Sequence, residues 1–405
     1  MKACMVAYSF YESDNRVRRY AETLAKRGDS VDVLTLRRER QPAYEVISGV
    51  NVFRIQRRLR NEKNSIHYLV RMLKFFLRSM WFMAVHHALE GYDLVHVHSV
   101  PDFEVFASLI PRLFGARVIL DIHDIVPEFY ASKFGVAKSS LTFRGLLLVE
   151  KLSALFAHHV IIANDLWHER ITRRSVPAHK CSWILNYPDR SIFFPRPRSS
   201  ANVDDFVMCY PGTINHHQGV DIAVQAVAQL KDKVPNLKFL IIGDGPERNS
   251  LQALVRDLHL EERVIFLGPV SIEEIAEHMA NVDLGVVPKR ADAFGNEAFS
   301  TKILEFMAMG VPVVASNTLI DQRHFGKDLL RFFQSGNPTE LAAAILELVN
   351  HPEKRDQLRA KGCEFIRENS WDFKKHDYLR LVERPIQRVL PLSDPAVPGA
   401  FTNRN

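Results

Sequence analysis

The chain has 405 residues and is 47% hydrophobic, enough apolar sequence for more than one core, and its size favours two domains. Its 53 basic and 47 acidic side chains leave a formal charge of +6, a mild surplus that favours anionic partners. The basic run lacks the surrounding signature of a recognition module, so no nucleic acid is expected as a partner. Four scattered cysteines, Cys4, Cys181, Cys209 and Cys363, have neither metal spacing nor a disulfide framework and point to a reducing compartment. The first residues enter strand-like sequence without a secretory apolar core and cleavage site, and the expected location is cytoplasmic.

In chain order, KACMVAYSF predicts a strand, and NRVRRYAETLAKRG a helix with Val17, Tyr20 and Leu24 on one face and Gly28 as its stop. SVDVLTL completes a strand–helix–strand unit. From Arg54 to Arg78 there are eight Lys or Arg residues and one acid, Glu62. Within SIHYLVRMLKFFLRSMWFMAVHHAL, Arg71, Lys74 and Arg78 recur at helical spacing, while Leu73, Phe76, Leu77, Met80 and Trp81 lie mostly away from them. Such a helix suits an anionic membrane surface, with Arg71, Lys74, Arg78 and Trp81 as candidates, or else it covers the first sheet and turns its charges to solvent. The strand pattern resumes at DLVHVHS, ARVILDIHD, HHVIIAN and CSWILNYP. Buried strands separated by helices mean a parallel sheet covered on both faces.

The periodic pattern breaks at residues 188–205, where three prolines and small polar residues intervene. The expected organisation is therefore a domain at 1–190, a linker at 191–204, a second domain at 205–370, and a C-terminal helix and tail at 371–405 that returns to the first domain. The second domain alternates again, from FVMCYPG and GVDIAVQAVAQLKDK to STKILEFMAMG and PVVAS. No stretch is long and apolar enough to predict a transmembrane helix.

In open parallel sheets ligands gather beyond the carboxyl ends of the strands. Three polar signals fall there. In ILDIHDIVPE, Asp121, His123 and Asp124 follow a hydrophobic strand, where an adjacent carboxylate can orient an imidazole; a helix-capping or structural role suits either acid equally. In YPGTINHHQGVDIA, Gly212 and Gly219 bracket a polar loop that opens a helix, with Thr213, His216 and His217 inside it. This suits either a diphosphate cradled on backbone amides or an ordinary turn. Gly243 and Gly245 permit a second close strand-to-helix turn. The third signal, FGNEAFSTKILEFMAMGVPVVAS, has Ser300 or Thr301 as the helix cap, Lys302 in the first turn, Glu305 one turn in and Glu297 in the preceding loop. Lys302 can reach an anion at the helix terminus, and Glu305 can accept two hydroxyl hydrogen bonds, as from a ribose.

Taken together, these blocks resemble the retaining glycosyltransferases of family 4, and bacterial envelope or exopolysaccharide enzymes among them, over essentially the whole chain. The most specific mark is the E-x7-E element of Glu297 and Glu305; DIHDIVPE resembles the active-site histidine segment and GTINHHQGVDIAVQA the phosphate loop. The resemblance implies a GT-B architecture, an α/β fold of two Rossmann-like parallel-sheet domains facing across a cleft. It implies a nucleoside-diphosphate sugar as donor, UDP- or GDP-linked, with no cofactor and no metal. Gly212, Thr213, His216, His217 and Lys302 would hold the diphosphate, Glu305 the ribose and Glu297 the donor sugar. His123, with Asp124, would lie near the anomeric centre, and Ser13, Asp14 and Asn15 on the acceptor side. The acceptor it implies is a glycan, lipid-linked in related enzymes. Where many members have arginine and lysine in the phosphate loop, this chain has Thr213 and Gln218, and SFYESDNR lacks the paired glycines of the usual acceptor loop. A nucleotide-sugar epimerase of similar fold and a noncatalytic nucleotide-sugar or glycan-binding protein are the competing readings.

Overall fold

The computed structural model describes residues 1–58, 65–137, 139–198 and 204–383. The chain forms two compact units, one of residues 1–184 together with the chain from Asp377, the other of residues 185–376.

Among its described residues the first unit holds eight strands: β1 (Lys2–Ala7), β2 (Ser30–Arg37), β3 (Tyr44–Ile47), β4 (Val50–Arg57), β5 (Leu94–His98), β6 (Arg117–Ile122), β7 (His159–Ile162) and β8 (Cys181–Trp183). Their spatial order is β3-β4-β2-β1-β5-β6-β7-β8. All neighbours are parallel except β3 and β4. Strands β5 and β6 are buried along their whole length, as strands covered on both faces must be. The β3–β4 hairpin departs from the sequence reading, which placed no strand there. Ser48 and Gly49 both have positive φ (51° and 80°), the two-residue turn whose twist suits a hairpin. Arg54 is therefore a strand residue. Its guanidinium is buried against the carboxylates of Glu12 (2.5 Å) and Glu45 (2.7 Å), which removes it from the surface charge counted along the sequence. Glu62 and the basic residues Arg60 and Lys63 lie outside the described residues.

The second unit contains β9 (Phe206–Pro211), β10 (Leu237–Ile242), β11 (Val264–Gly268), β12 (Leu284–Val287), β13 (Val313–Ser316) and β14 (Arg331–Phe333), in the order β11-β10-β9-β12-β13-β14. Every pair is parallel. This is the doubly wound order, and the direction of winding reverses between β9 and β12. Helix Val220–Leu230 buries Ile222, Ala223, Val227 and Leu230 against this sheet beside helix Pro338–Asn350. The last described helix, Trp371–Glu383, starts in the second unit and from Asp377 belongs to the first. There Tyr378 is fully buried, its ring 4.2 Å from that of Tyr20 and its hydroxyl 3.0 Å from His96 Nδ1.

Helix Thr301–Ala308 lies against β12 through Gly285. A methyl group on that glycine would sit 2.6 Å from Cγ and Cδ2 of the Phe306 ring, which is buried and cannot swing into solvent. Replacing Gly285 by Ala is expected to destabilise the protein by about 1–3 kcal/mol, the usual cost of overpacking a filled core. Urea unfolding of the whole chain measures this; an unchanged midpoint would mean that the helix has room to move off the strand.

Candidate active site

Where a parallel sheet reverses its winding, the loops from the two adjacent strands part and leave the strand ends uncovered. In the second unit this happens between β9 and β12. Beyond β9, Gly212 has φ +138°, a conformation only glycine adopts freely, and donates its N–H to the Ile242 carbonyl (2.7 Å). A Cβ there would strike the Lys302 side chain, so the lysine lies directly on the loop backbone. Its ammonium also stands 5.2 Å from the centre of the Tyr210 ring and 3.3 Å from Gln218 Oε1. The Tyr210 hydroxyl in turn donates to the Thr213 carbonyl at 2.8 Å. Gly219 (φ +66°) opens helix Val220–Leu230, and a Cβ on it would collide with the Pro288 carbonyl. The 212–219 loop is thus pressed against the end of β12.

His216, His217 and Gln218 form one tight turn of this loop, and the Gln218 amide lies 3.1 Å from His217 Nε2. Burial holds the His217 imidazole below its ordinary pKa. Two basic residues that sequence reasoning did not single out brace this loop and its surroundings. Arg290 donates its N–H to the His217 carbonyl (2.8 Å) and sends its guanidinium to Asp221 (2.6 and 2.9 Å) and to the His216 carbonyl (2.6 Å). Lys289, almost fully buried, pairs with Asp321 (3.0 Å) and donates to the Ala298 carbonyl (2.5 Å). Their signal in the sequence is position alone: they directly follow Pro288 at the end of a strand beside the reversal.

The segment carrying Glu297 is a tight turn held by Asp292, whose carboxylate accepts from the Phe294 and Gly295 amides (3.0 and 2.6 Å). Asn296 anchors its far side by accepting from the Leu319 amide at 2.8 Å. Ser300 is the N-cap of helix Thr301–Ala308, but its hydroxyl does not cap the first turn. Lys302 and Glu305, three residues apart, lie on one helix face. Burial pushes the Lys302 ammonium down to about 8 against the opposing pull of Glu305.

In the first unit the winding reverses between β1 and β5. His96 and His98 alternate onto one face of β5, and Asp121 lies opposite on β6. Asp121 is fully buried and receives both Nε and Nη2 of Arg16 at 2.7 Å, while Arg16 Nη1 donates to the Ile184 carbonyl. Its Oδ2 lies 3.3 Å from His98 Nδ1 and 3.2 Å from His123 Nε2, and the two imidazole nitrogens are 3.1 Å apart. The carboxylate against the half-buried His123 ring is thus that of Asp121, whereas burial raises the Asp124 carboxyl above its usual range. Although burial opposes it, the Arg16 charge holds Asp121 well below the ordinary carboxylate range. Burial keeps His96 and His98 below theirs. His96, His98 and Asp121 place possible metal ligands within 4.8 Å of one another, but the Arg16 guanidinium already occupies both Asp121 oxygens, and a cation would meet like charge.

Asp14 caps helix Asn15–Lys26 by accepting from the Val17 amide (3.2 Å). Ser13 donates to the Phe10 carbonyl and accepts from Arg38 (3.2 Å), and Asn15 is half-buried at the helix start. Lys74, Arg78 and Trp81 line a separate groove of about 660 Å³ with Tyr44, Phe53 and Leu77; Arg78 donates to the Ile55 carbonyl. The Arg71 carbonyl, on the same helix, accepts from Gln56.

Residues 13–186 match the glycosyl transferase 4-like domain, and residues 193–365 match the glycosyl transferases group 1 family. An uncharacterized glycosyltransferase of Methanocaldococcus jannaschii is 30% identical over 293 residues, 70% of this chain and 73% of that one. N-acetyl-alpha-D-glucosaminyl L-malate synthase of Bacillus anthracis is 26% identical over 235 residues, which span 56% of this chain and only 57% of that enzyme's length. Among solved structures, Anabaena HepE in complex with UDP-glucose superposes with a TM-score of 0.71 at 18% identity, covering 94% of this chain and 99% of that one. Two α/β units, each built on a parallel sheet with a polar site at its winding reversal, define the two-domain GT-B architecture. The chain belongs to the GT-B glycosyltransferases, related to the bacterial group 1 and 4-like enzymes.

Removing one partner of the buried Arg16–Asp121 pair leaves the other charge uncompensated. Asp121→Asn should therefore cost about 3–5 kcal/mol of folding stability, and Asp124→Asn roughly 1 kcal/mol or less, since burial already disfavours the Asp124 charge. Because the Asp121 pKa is lowered on folding, its contribution is full above the ordinary carboxylate range and disappears as pH falls through the depressed value. Denaturant titrations of both variants at neutral and acid pH measure the difference; equal losses would contradict the assignment of Asp121 as the structural anion.

Proposed function

We propose that this protein is a retaining transferase that moves a sugar from a nucleoside-diphosphate sugar, UDP-linked by preference, to a hydroxyl of a polyprenyl-diphosphate-linked glycan. The observation that carries the donor half is the placement of Lys302 against the backbone of Gly212, with Glu305 one helical turn beyond it. The loop amides after β9, the N-terminus of helix Thr301–Ala308, His216, His217 and Lys302 supply hydrogen bonds and positive charge to the diphosphate. They take the place of the arginine and lysine that Thr213 and Gln218 replace. Glu305 accepts the two ribose hydroxyls, and Glu297, on its separately braced turn, faces the donor sugar. The complex of HepE with UDP-glucose supports a uridine donor. The cations and aromatic side chains of helix Ser65–Glu90 favour a lipid-diphosphate acceptor.

In this reaction the bond from the anomeric carbon to the diphosphate oxygen breaks as the acceptor oxygen bonds to the same face of that carbon. The acceptor's proton passes to the departing phosphate, whose charge Lys302 and the loop amides stabilise. His123, with its Nε2 held by Asp121, positions the reacting hydroxyl or steadies the charge developing on the sugar; its Nδ1 is the atom left to do so. Glu297 and Glu305 belong to one donor site and are not the acid–base pair of a glycosidase.

A mass-resolved assay with UDP- and GDP-sugars, with and without a polyprenyl-diphosphate-linked glycan, tests this. The expected product is the acceptor plus one sugar, with the donor's anomeric configuration retained. Glu305→Ala, which deletes a charged acceptor of hydroxyl hydrogen bonds, should lower kcat/KM by about 10- to 100-fold. Donor isomerisation without acceptor would identify an epimerase instead, and binding without turnover over the whole panel a noncatalytic binding protein.

The Lys302 ammonium gives a second test. With its pKa near 8 in the free protein, the lysine has lost most of its charge by pH 9, and a bound diphosphate must restore it. Affinity for UDP should therefore fall as pH rises above 8, with about one proton taken up per UDP bound near pH 9. Calorimetry in buffers of different ionisation enthalpy measures the uptake, and Lys302→Met should abolish it. Uptake that persists in the variant would place the titrating group elsewhere.

A further inference from the structure

The helices over one side of the first sheet differ from the rest of the surface. Helix Ser65–Glu90 has three faces rather than two. Phe75, Ser79 and Met83 are buried, which accounts for the sheet-covering half of its apolar residues. Leu69, Leu73, Leu77 and Trp81 form a second apolar stripe left in solvent, with Trp81 74% exposed. Lys74 and Arg78 stand between the two.

This stripe has neighbours. Phe103 meets Phe76 of helix Ser65–Glu90 (6.0 Å between ring centres), and Phe106 meets Phe156 of helix Leu141–Phe156 (5.1 Å). Arg112, in helix Leu109–Leu113, donates to the Phe156 carbonyl at 2.9 Å. The three elements therefore form one layer. Leu148, Leu152 and Leu155 repeat at helical spacing on the outer side of helix Leu141–Phe156, with Leu148 57% exposed. Leu113 and Phe114 project from the element between them, Phe114 at 75%. Helix Asn15–Lys26, which right-handed crossover places on the other side of the sheet, exposes no large hydrophobic residue. In the second unit such residues are scattered.

The charge on this layer has one sign. The two long helices carry Arg71, Lys74, Arg78, Arg144 and Lys151 against two acids, Glu90 and Glu150. Glu150 is buried against Arg174 (2.6 Å), and Glu90 lies against Lys2. A second copy of the chain would bring the same cations face to face, which disfavours a dimer through this surface. Among the described residues no helix is long and apolar enough to cross a membrane. Contiguous exposed apolar area of this kind marks an interaction site, and a cationic rim around it complements an anionic interface.

We propose that the outer faces of helices Ser65–Glu90, Leu109–Leu113 and Leu141–Phe156 together form a docking surface for an anionic phospholipid bilayer. Leucines, Trp81 and Phe114 enter the interface while the lysines and arginines meet headgroup phosphates. The proposal stands apart from the sugar-transfer reading, because docking is measured without donor or acceptor. The full chain is sedimented with vesicles of phosphatidylcholine alone and with vesicles containing about 30 mol% phosphatidylglycerol. Binding should appear only with the anionic vesicles and weaken with added salt. The paired variants Leu77→Glu/Trp81→Glu and Leu148→Glu/Leu152→Glu should each weaken it by roughly tenfold or more. Lys74→Ala/Arg78→Ala, which adds no strain to the core, should weaken it by less, and unfolding midpoints confirm that each variant is folded. Equal binding to both vesicles would overturn the proposal. So would no binding to either, unchanged binding by the Leu148/Leu152 pair, or self-association in place of vesicle binding that the same variants relieve.

Discussion

A parallel sheet cannot be closed by tight hairpins, and this constraint arranges the rest of the molecule. Apart from the step from β2 to β4, which runs through the antiparallel β3, each return crosses over the sheet through a helical segment with one hand, so strands accumulate outward from a starting strand in one direction and then in the other. Each sheet reverses once near its middle, beside β1 in the first unit and beside β9 in the second. At those two places the loops from neighbouring strands part to opposite sides of the sheet. The Asp121 cluster and the Lys302 loop occupy these positions.

The two sites handle buried charge differently. In the first, Arg16 and Asp121 neutralise each other with two parallel hydrogen bonds, and burial holds His96 and His98 below their ordinary pKa. Asp121 is thereby a fixed anion that can orient His123 through the whole range of neutral pH. In the second, Lys289 is matched by Asp321 and Arg290 by Asp221, so these cations brace the walls. Burial works against the charges of both Lys289 and Lys302, but Lys289 has the Asp321 carboxylate against it, whereas Lys302 lies on the glycine loop. A lysine whose ionised form burial disfavours regains its charge when an anion comes against it, which is the behaviour the proposed diphosphate site requires of Lys302.

Much of this was legible in the sequence because parallel strands are continuous apolar runs and glycines mark where backbone approaches backbone. The segments holding β1, β5, β6, β9 and β10 stood out for the first reason, and Gly212 and Gly219 for the second. The β3–β4 hairpin did not, since its turn is Ser-Gly, β3 has only four residues, and β4 alternates apolar with polar residues instead of forming a continuous apolar run. Arg54 was consequently counted among surface cations, although Glu12 and Glu45 lie 42 and 9 positions away and meet it only after folding. Arg16 and Asp121 are 105 residues apart, and nothing local in either segment announces the other. Burial of one helix face was predictable from period; that helix Ser65–Glu90 keeps a second apolar stripe in solvent depends on which neighbours it acquires.

Eight residues separate Glu297 and Glu305, the two carboxylates proposed for one ligand, and the local structure accounts for the spacing. On a single helix that spacing would put them more than two turns apart along the axis, with too long a span for adjoining parts of one small molecule. Here only Glu305 is helical. Its depth is set by the Gly285–Phe306 contact, which fixes how closely helix Thr301–Ala308 approaches β12. Glu297 sits on a turn tied to Asp292, to Asn296 and, through the Ala298 carbonyl, to the buried Lys289. Two independent frames thus hold the two carboxylates, and the segment 298–300 between them leads from the braced turn to the helix N-terminus. A change of one frame can move one carboxylate without the other.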